Sequence, residues 1–137
     1  MAQKINSKQI PVKFTRLLGV STYTSGGVIP VGFTTYCTIT ATTLGGPILI
    51  QYNVNLNDGN SGSDRTGSVK VQLDGADVAG SGLGWKTKAI TSAHPSLSVY
   101  GGTPAAGSHT WTLQVQANTA SANVIDASSL VVFETSA

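Results

Sequence analysis

Few residues in this chain could do chemistry. Two histidines, one cysteine, one glutamate and five aspartates make up its acid–base, nucleophilic and metal-ligating inventory. General acid–base catalysis needs paired groups within reach of one reacting atom. The only glutamate, Glu134, sits in a strand-like terminal stretch. Asp58, Asp64, Asp74, Asp77 and Asp126 fall mostly in turn contexts, where aspartate is the ordinary choice. His94 and His109 have no Cys, His or Glu beside them at metal-ligand spacing. His109, at the start of a strand pattern, reads as a packing or hydrogen-bonding residue, and His94-Pro95 reads as loop. A Ser-His-Asp triad is recognised by geometry rather than spacing, but no Gly-x-Ser-x-Gly elbow occurs. Asn55–Asp64 (NLNDGNSGSD) is oxygen-rich like a calcium loop. It lacks the ordered Asp-x-Asn-x-Asp-Gly spacing and the distal Glu, so it reads as a hairpin loop. Gly80-Ser81-Gly82-Leu83-Gly84 lacks the full glycine fingerprint, the following helix and the lysine of a phosphate cradle. Trp85 and Trp111 could face sugar, but on strands such residues read as core or interface anchors. No enzymatic activity, cofactor or metal is expected.

The elements that would position these residues are strands. His109 to Gln116 alternates Trp111, Leu113 and Val115 against Thr110, Thr112, Gln114 and Gln116, the period of a strand with one buried face. Phe33–Thr43 and Ile48–Leu56 alternate in the same way, the latter with Ile48, Ile50, Tyr52, Val54 and Leu56 on one side. Ile10–Leu18 reads as a first strand that starts on an edge, because Pro11 cannot donate to a ladder. Thr22–Gly32 reads as loop and Val69–Leu73 as a strand. Asp74-Gly75 is a hairpin signal leading to Ala76-Asp77-Val78. Leu83–Ile90, Leu97–Tyr100, a short Asn123–Asp126 and Leu130–Glu134 complete about nine strands, with no segment of helical period. Strands spaced by Gly, Pro, Asn and Asp turns predict an all-β, antiparallel β-sandwich, jelly-roll-like, without significant helix. The last run, Leu130-Val131-Val132-Phe133, is apolar on both faces, so it must lie inside a sandwich or against a partner chain.

Size and charge narrow the class. A chain of 137 residues is one domain with enough mass for a core without disulfides or metals. Charged residues are only 10%, less than half the usual quarter. Thr-rich faces with few ions suit surfaces that a partner will cover, because a hydroxyl costs less to bury than an ion. Cys37, in the alternating Tyr36-Cys37-Thr38-Ile39, reads as a buried small hydrophobe, and one cysteine gives no disulfide framework. No signal peptide or apolar run of about 20 residues is present, so synthesis in a cytoplasm and no membrane partner are expected. Lys4, Lys8, Lys13 and Arg16 give the first 57 residues a charge of +4 with no acid. The rest holds four Lys and Arg against six acids, or −2. Residues 1–9 read as a flexible or partner-bound basic arm before a single domain over 10–137. Nucleic acid is not expected as a partner, because no aromatic residues interleave with the basic ones.

The C-terminal element resembles a known family. Ala106-Gly107-Ser108-His109-Thr110-Trp111-Thr112-Leu113-Gln114-Val115, a polar turn, and Ala127-Ser128-Ser129-Leu130-Val131-Val132-Phe133-Glu134 are similar to the end of small jelly-roll proteins of tailed bacteriophages. In those, a Gly-x-His/Tyr-Thr strand precedes a Leu-x-Val-x-Glu last strand. The pattern is also similar to the closing strands of tumour necrosis factor and complement-type trimeric jelly rolls. The resemblance covers the last 30 or so residues and, more loosely, Gly67–Asp77. It implies a trimeric jelly roll in a virion, as a capsid decoration (cement) protein or a tail-fibre tip. A tip usually sits on a long shaft, whereas a decoration protein needs only a compact oligomer and a short grip. Met1-Ala2-Gln3 has the look of a natural start, so the chain is read as a whole gene product.

The expectation is a non-enzymatic structural protein on the capsid surface. It would bind the assembled shell as a homotrimer and stabilise it by mass action. The arm residues Lys4, Ile5, Lys8 and Gln9 would contact the major capsid protein. Trp111, Leu113, Leu130, Val132 and Phe133 would form the subunit interface near a symmetry axis. The alternative is a receptor-binding tail-fibre tip that recognises cell-surface glycan through the loops Asn57–Gly67 and Gly101–Pro104.

Overall fold

Period-two alternation becomes ten strands. The computed structural model describes residues 15–57, 64–87, 92–118 and 124–136. The strands are β1 (Thr15–Tyr23), β2 (Thr34–Thr43), β3 (Ile48–Asn57), β4 (Arg65–Leu73), β5 (Ala76–Asp77), β6 (Leu83–Thr87), β7 (Ser92–Ala93), β8 (Ser96–Tyr100), β9 (Gly107–Ala117) and β10 (Val124–Thr135). They form two antiparallel sheets. In the first, β1, β10 and β3 run side by side, and β8 and β7 pair with successive stretches of β3. In the second, β2, β9 and β4 run side by side, and β6 and β5 pair with successive stretches of β4.

Counted as broken edge strands, β5/β6 and β7/β8 leave eight strand positions whose pairing is nested. The first strand pairs the last, β2 pairs β9, β3 pairs β8 and β4 pairs β6. The chain is thus one long hairpin with its tip at β4–β6, rolled over so that β10 also pairs β3 and β9 also pairs β4. That wind is the jelly roll. The inner faces bury Ile48, Ile50, Tyr52, Val54, Leu56, Leu130 and Val132 from the first sheet. Facing them are Cys37, Ile39, Val69, Val71, Trp85, Trp111, Leu113 and Val115 from the second. Truncating one such large side chain to alanine typically costs about 2–5 kcal/mol.

Several boundaries depart from the sequence reading. Thr22 and Tyr23 extend β1, pairing with Ser129 and Ser128, where a loop was expected. Of the predicted Ile10–Leu18 strand, Thr15–Leu18 belong to β1, and Ile10–Phe14 lie outside the described residues. The two final segments are one strand, bulged between Ile125 and Ala127, because its middle is held on both sides by β1 and β3. The Asp-Gly turn is as expected. Asp74 (φ 51) and Gly75 (φ 85) both take the left-handed conformation of a type I′ hairpin.

Candidate functional site

The register sorts the connections into two groups. Tyr23 opposite Ser128, Asn57 opposite Val124, Arg65 opposite Thr87 and Gly67 opposite Ala117 gather the ends of 24–33, 58–64, 88–91 and 118–123 at one end of the sandwich. There, Ile29 is fully buried. Gly27 accepts a hydrogen bond from Ile125 N and Pro30 accepts one from Ala117 N, so the 24–33 connection bridges the two sheets. Thr15 opposite Thr135, Thr43 opposite Gly107 and the Asp74-Gly75 turn mark the other end, with 44–47 and 101–106. The loops Asn57–Gly67 and Gly101–Pro104 therefore stand at opposite ends, about 30 Å apart along β3. Thr15 lies at the 101–106 end, and Lys4, Ile5, Lys8 and Gln9 lie outside the described residues.

Two ionic knots organise that second end. Glu134 shares its face of β10 with Leu130 and Val132 and is 3% exposed. Its Oε1 accepts hydrogen bonds from Leu44 N (2.7 Å) and Gly46 N (2.9 Å), and its Oε2 accepts one from Arg16 (2.5 Å). Arg16 also donates to the Thr42 carbonyl (3.0 Å), so the fourth charge of the basic segment is pinned to the domain. Only glycine fits at position 46, where a Cβ would lie 2.1 Å from the Thr135 carbonyl oxygen. Burial alone would raise the Glu134 pKa. The hydrogen bonds from Arg16, Gly46 and Leu44, with the guanidinium charge, outweigh it and hold the pKa below its ordinary 4.5. In the second knot, His109 lies between Asp74 Oδ2 (2.6 Å) and the Ala105 carbonyl (2.8 Å). Neither knot was read from the sequence. For Glu134 the signal is parity, since a lone acid on the inward face of an apolar strand needs buried donors.

The outer face of the first sheet carries the other notable feature. Read across β1, β10, β3 and β8, the register aligns Leu17, Phe133, Leu49 and Tyr100 in one row, and Val20 opposes Val131 in the next. Leu17 is 55% exposed, Val20 56% and Tyr100 61%, while Phe133, Leu49 and Val131 are half-buried. This corrects the interface assignment. Trp111, Leu113, Leu130 and Val132 are fully buried inside the chain's own core and present nothing to a second chain. Of the five residues, Phe133 alone faces outward. The doubly apolar last strand uses one face for its own core and shows the other.

The remaining candidates are structural. Cys37 is buried, its Sγ 3.6 Å from Ser128 Oγ, and burial pushes its thiol pKa up. Ser81, in the glycine-rich break, bonds both the N–H and the carbonyl of Val71, and its own carbonyl accepts from the Tyr52 hydroxyl (2.8 Å), tying the sheets together. His94 contacts Asn55 Oδ1 (2.9 Å), and Asp64 pairs with Lys86 (3.0 Å). Among the described residues no three His, Cys, Asp or Glu side chains gather as a metal-holding group, and no helix is long and apolar enough to cross a membrane.

No family model and no curated protein matches the chain. Solved structures do. The PRD1 vertex protein P5 is 8% identical over 88% of this chain and 97% of its own, with a TM-score of 0.49. The structure of infectious bursal disease virus Gx strain is 11% identical over 98% of this chain and 36% of that one (TM-score 0.47). The CBM36-1 domain of a multidomain xylanase from the hindgut metagenome of Trinervitermes trinervoides is 11% identical over 88% and 96% (TM-score 0.46). These likenesses span viral proteins and a carbohydrate-binding module, and at this level they do not choose between roles.

Proposed function

We propose that this protein is a non-enzymatic virion structural protein, a capsid decoration protein that binds the assembled shell as a homotrimer. The observation that carries the reading is the apolar row Leu17–Phe133–Leu49–Tyr100 on the outer face of the first sheet. A soluble monomer rarely shows a contiguous apolar face, whereas an oligomer covers one. Strands about 4.8 Å apart, each at its own length, make the whole outer face of β1, β10, β3 and β8 about 600 Å², somewhat below the roughly 800 Å² per partner of a standard interface, with the apolar row filling its half nearest the 101–106 end. Its occupant is a second copy of this chain. The aromatic rings of Phe133 and Tyr100 act as anchors and the neighbouring Gln51 and Ser98 as the polar rim. The arm, with Lys4, Ile5, Lys8 and Gln9, would grip the major capsid protein. Deleting residues 1–9 should leave the folded oligomer intact and abolish its co-sedimentation with assembled shells. Full decoration by the truncated protein would overturn the arm's role.

A second reading rests on the polar half of the same face. Gln51, Asn53, Ser96, Ser98 and Ser129 line a shallow hollow of amides and hydroxyls that a sugar could occupy. Glycan binding that Gln51→Ala and Asn53→Ala abolish would favour a receptor-binding module instead.

A further inference from the structure

We propose that His109 is carried as an imidazolium and acts as a pH-sensitive clamp joining the Asp74-Gly75 turn to the 103–106 segment of the loop before β9. The geometry demands two donors. Nδ1 faces an Asp74 carboxylate oxygen at 2.6 Å and Nε2 faces the Ala105 carbonyl at 2.8 Å. A neutral ring has one N–H and can serve only one of these acceptors; the cation serves both. The acceptors are themselves fixed. Asp74 Oδ1 takes the Thr110 N–H (2.8 Å), and Asp74 N–H donates to the Thr110 carbonyl (2.8 Å). The Ala105 carbonyl also accepts from Thr43 Oγ1 (2.8 Å). The His109 side chain is 16% exposed at the rim of the core, its ring 6.1 Å from that of Trp111.

Among the described residues no other charge competes for the ring. Asp74 is the acid on the turn side, and residues 101–106 carry no charged side chain. The register partner on β2 is Ala41, and the last residue of β4 is Leu73. Asp77 is committed to Lys70 (2.8 Å) and Glu134 to Arg16. The hydrogen bond with Asp74, then that with Ala105, together with the Asp74 charge, outweigh partial burial and raise the His109 pKa above its ordinary 6.5. A raised pKa means the clamp is complete below the unfolded value and is lost as pH rises through the folded one. On deprotonation the remaining proton stays with the carboxylate on Nδ1. The Nε2 lone pair then faces the Ala105 oxygen and repels it. Gly101 and Gly102 stay pinned to Ile48 through Gly101 N to Ile48 O (2.8 Å) and Ile48 N to Gly102 O (2.9 Å), so release is confined to Thr103–Ala106. Leu73 and Val78 form one wall of an apolar cleft and Tyr100 and Gly102 the other. The clamp joins the turn that follows Leu73 to the 103–106 segment that follows Gly102, so the rim of this cleft, beyond the pinned Gly101-Gly102, responds to protons.

The test is an NMR titration of the full chain from about pH 4 to about pH 9, following both histidine rings and the backbone amides. His109 should titrate above 6.5, and the amides of Thr103, Ala105 and Ala106 should shift with the same midpoint. Asp74→Asn should move the midpoint down, and His109→Gln should remove the pH-dependent shift of the loop amides. A wild-type midpoint below 6.5 overturns the proposal, as do loop amides that stay silent through the His109 titration or a midpoint that Asp74→Asn leaves unmoved. The wild-type titration decides even where a variant fails to fold.

Discussion

Replacing Glu134 tests how the loop-bearing end of the sandwich is held. In the alanine variant the Leu44 and Gly46 N–H groups lose a shared, charged acceptor in a buried place, and Arg16 loses its counter-ion. Hydrogen bonds to a charged group contribute about 1.5–3 kcal/mol each. The Arg16 pair adds less, about 0.2–1 kcal/mol, because its guanidinium is 45% exposed and screened. These contributions are not additive, and leaving the Leu44 and Gly46 N–H groups unsatisfied while unpairing Arg16 costs about 3–5 kcal/mol in all. For a domain of this size that is a fall in Tm of roughly 10–15 °C. Glu134→Gln is the sharper probe. The two loop bonds go to Oε1, which the amide can reproduce as a neutral carbonyl, whereas its NH2 group would face Arg16. Its cost should be about 1–2 kcal/mol, since neutral hydrogen bonds have roughly half the strength of charge-assisted ones. The acid limb differs too. Because the Glu134 pKa is depressed on folding, its contribution is present above the unfolded value and is lost as pH falls through the folded one. The glutamine variant should lose that share of the acid slope. Calorimetric melts of the three proteins from about pH 3 to about pH 7 read this directly. An alanine variant within about 1 kcal/mol of wild type, or a glutamine variant with an unchanged acid slope, would refute the reasoning.

The remaining predictions separate core from surface. Leu17→Glu should dissociate the oligomer in analytical ultracentrifugation while changing stability by less than about 0.5 kcal/mol at dilutions where both proteins are monomeric, because Leu17 stands on the exposed face of one chain. Leu113→Ala should do the opposite, costing about 2–5 kcal/mol in denaturant titrations and leaving the oligomer of the folded fraction unchanged, because its side chain is spent inside one chain.

The fold was legible where alternation is unbroken. All five residues assigned to the inward face of β3, from Ile48 to Leu56, are buried, and the Asp-Gly dipeptide marks a type I′ turn. It was less legible at edges. β7 is two residues long, and β5 and β7 exist only because β4 and β3 extend past their longer partners, a fact of register rather than of local sequence. The subunit surface failed for a related reason. Leu130-Val131-Val132-Phe133 shows that both faces are apolar, but not which belongs to the core. The tie-breaker is Glu134, whose donors come from Arg16 and the 44–46 turn, 118 to 88 residues away in the chain. Likewise the His109–Asp74 pair joins residues 35 apart that only the β4–β9 ladder brings together.

The most direct test of the central claim is cryo-electron microscopy of the intact particle at a resolution that traces strands. The account predicts threefold clusters of this jelly roll on the outer shell, with Leu17, Phe133, Leu49 and Tyr100 against a neighbouring copy and the N-terminal segment running into the capsid protein. Isolated single copies, or the protein found only at the tail tip with that sheet face open to solvent, would contradict it.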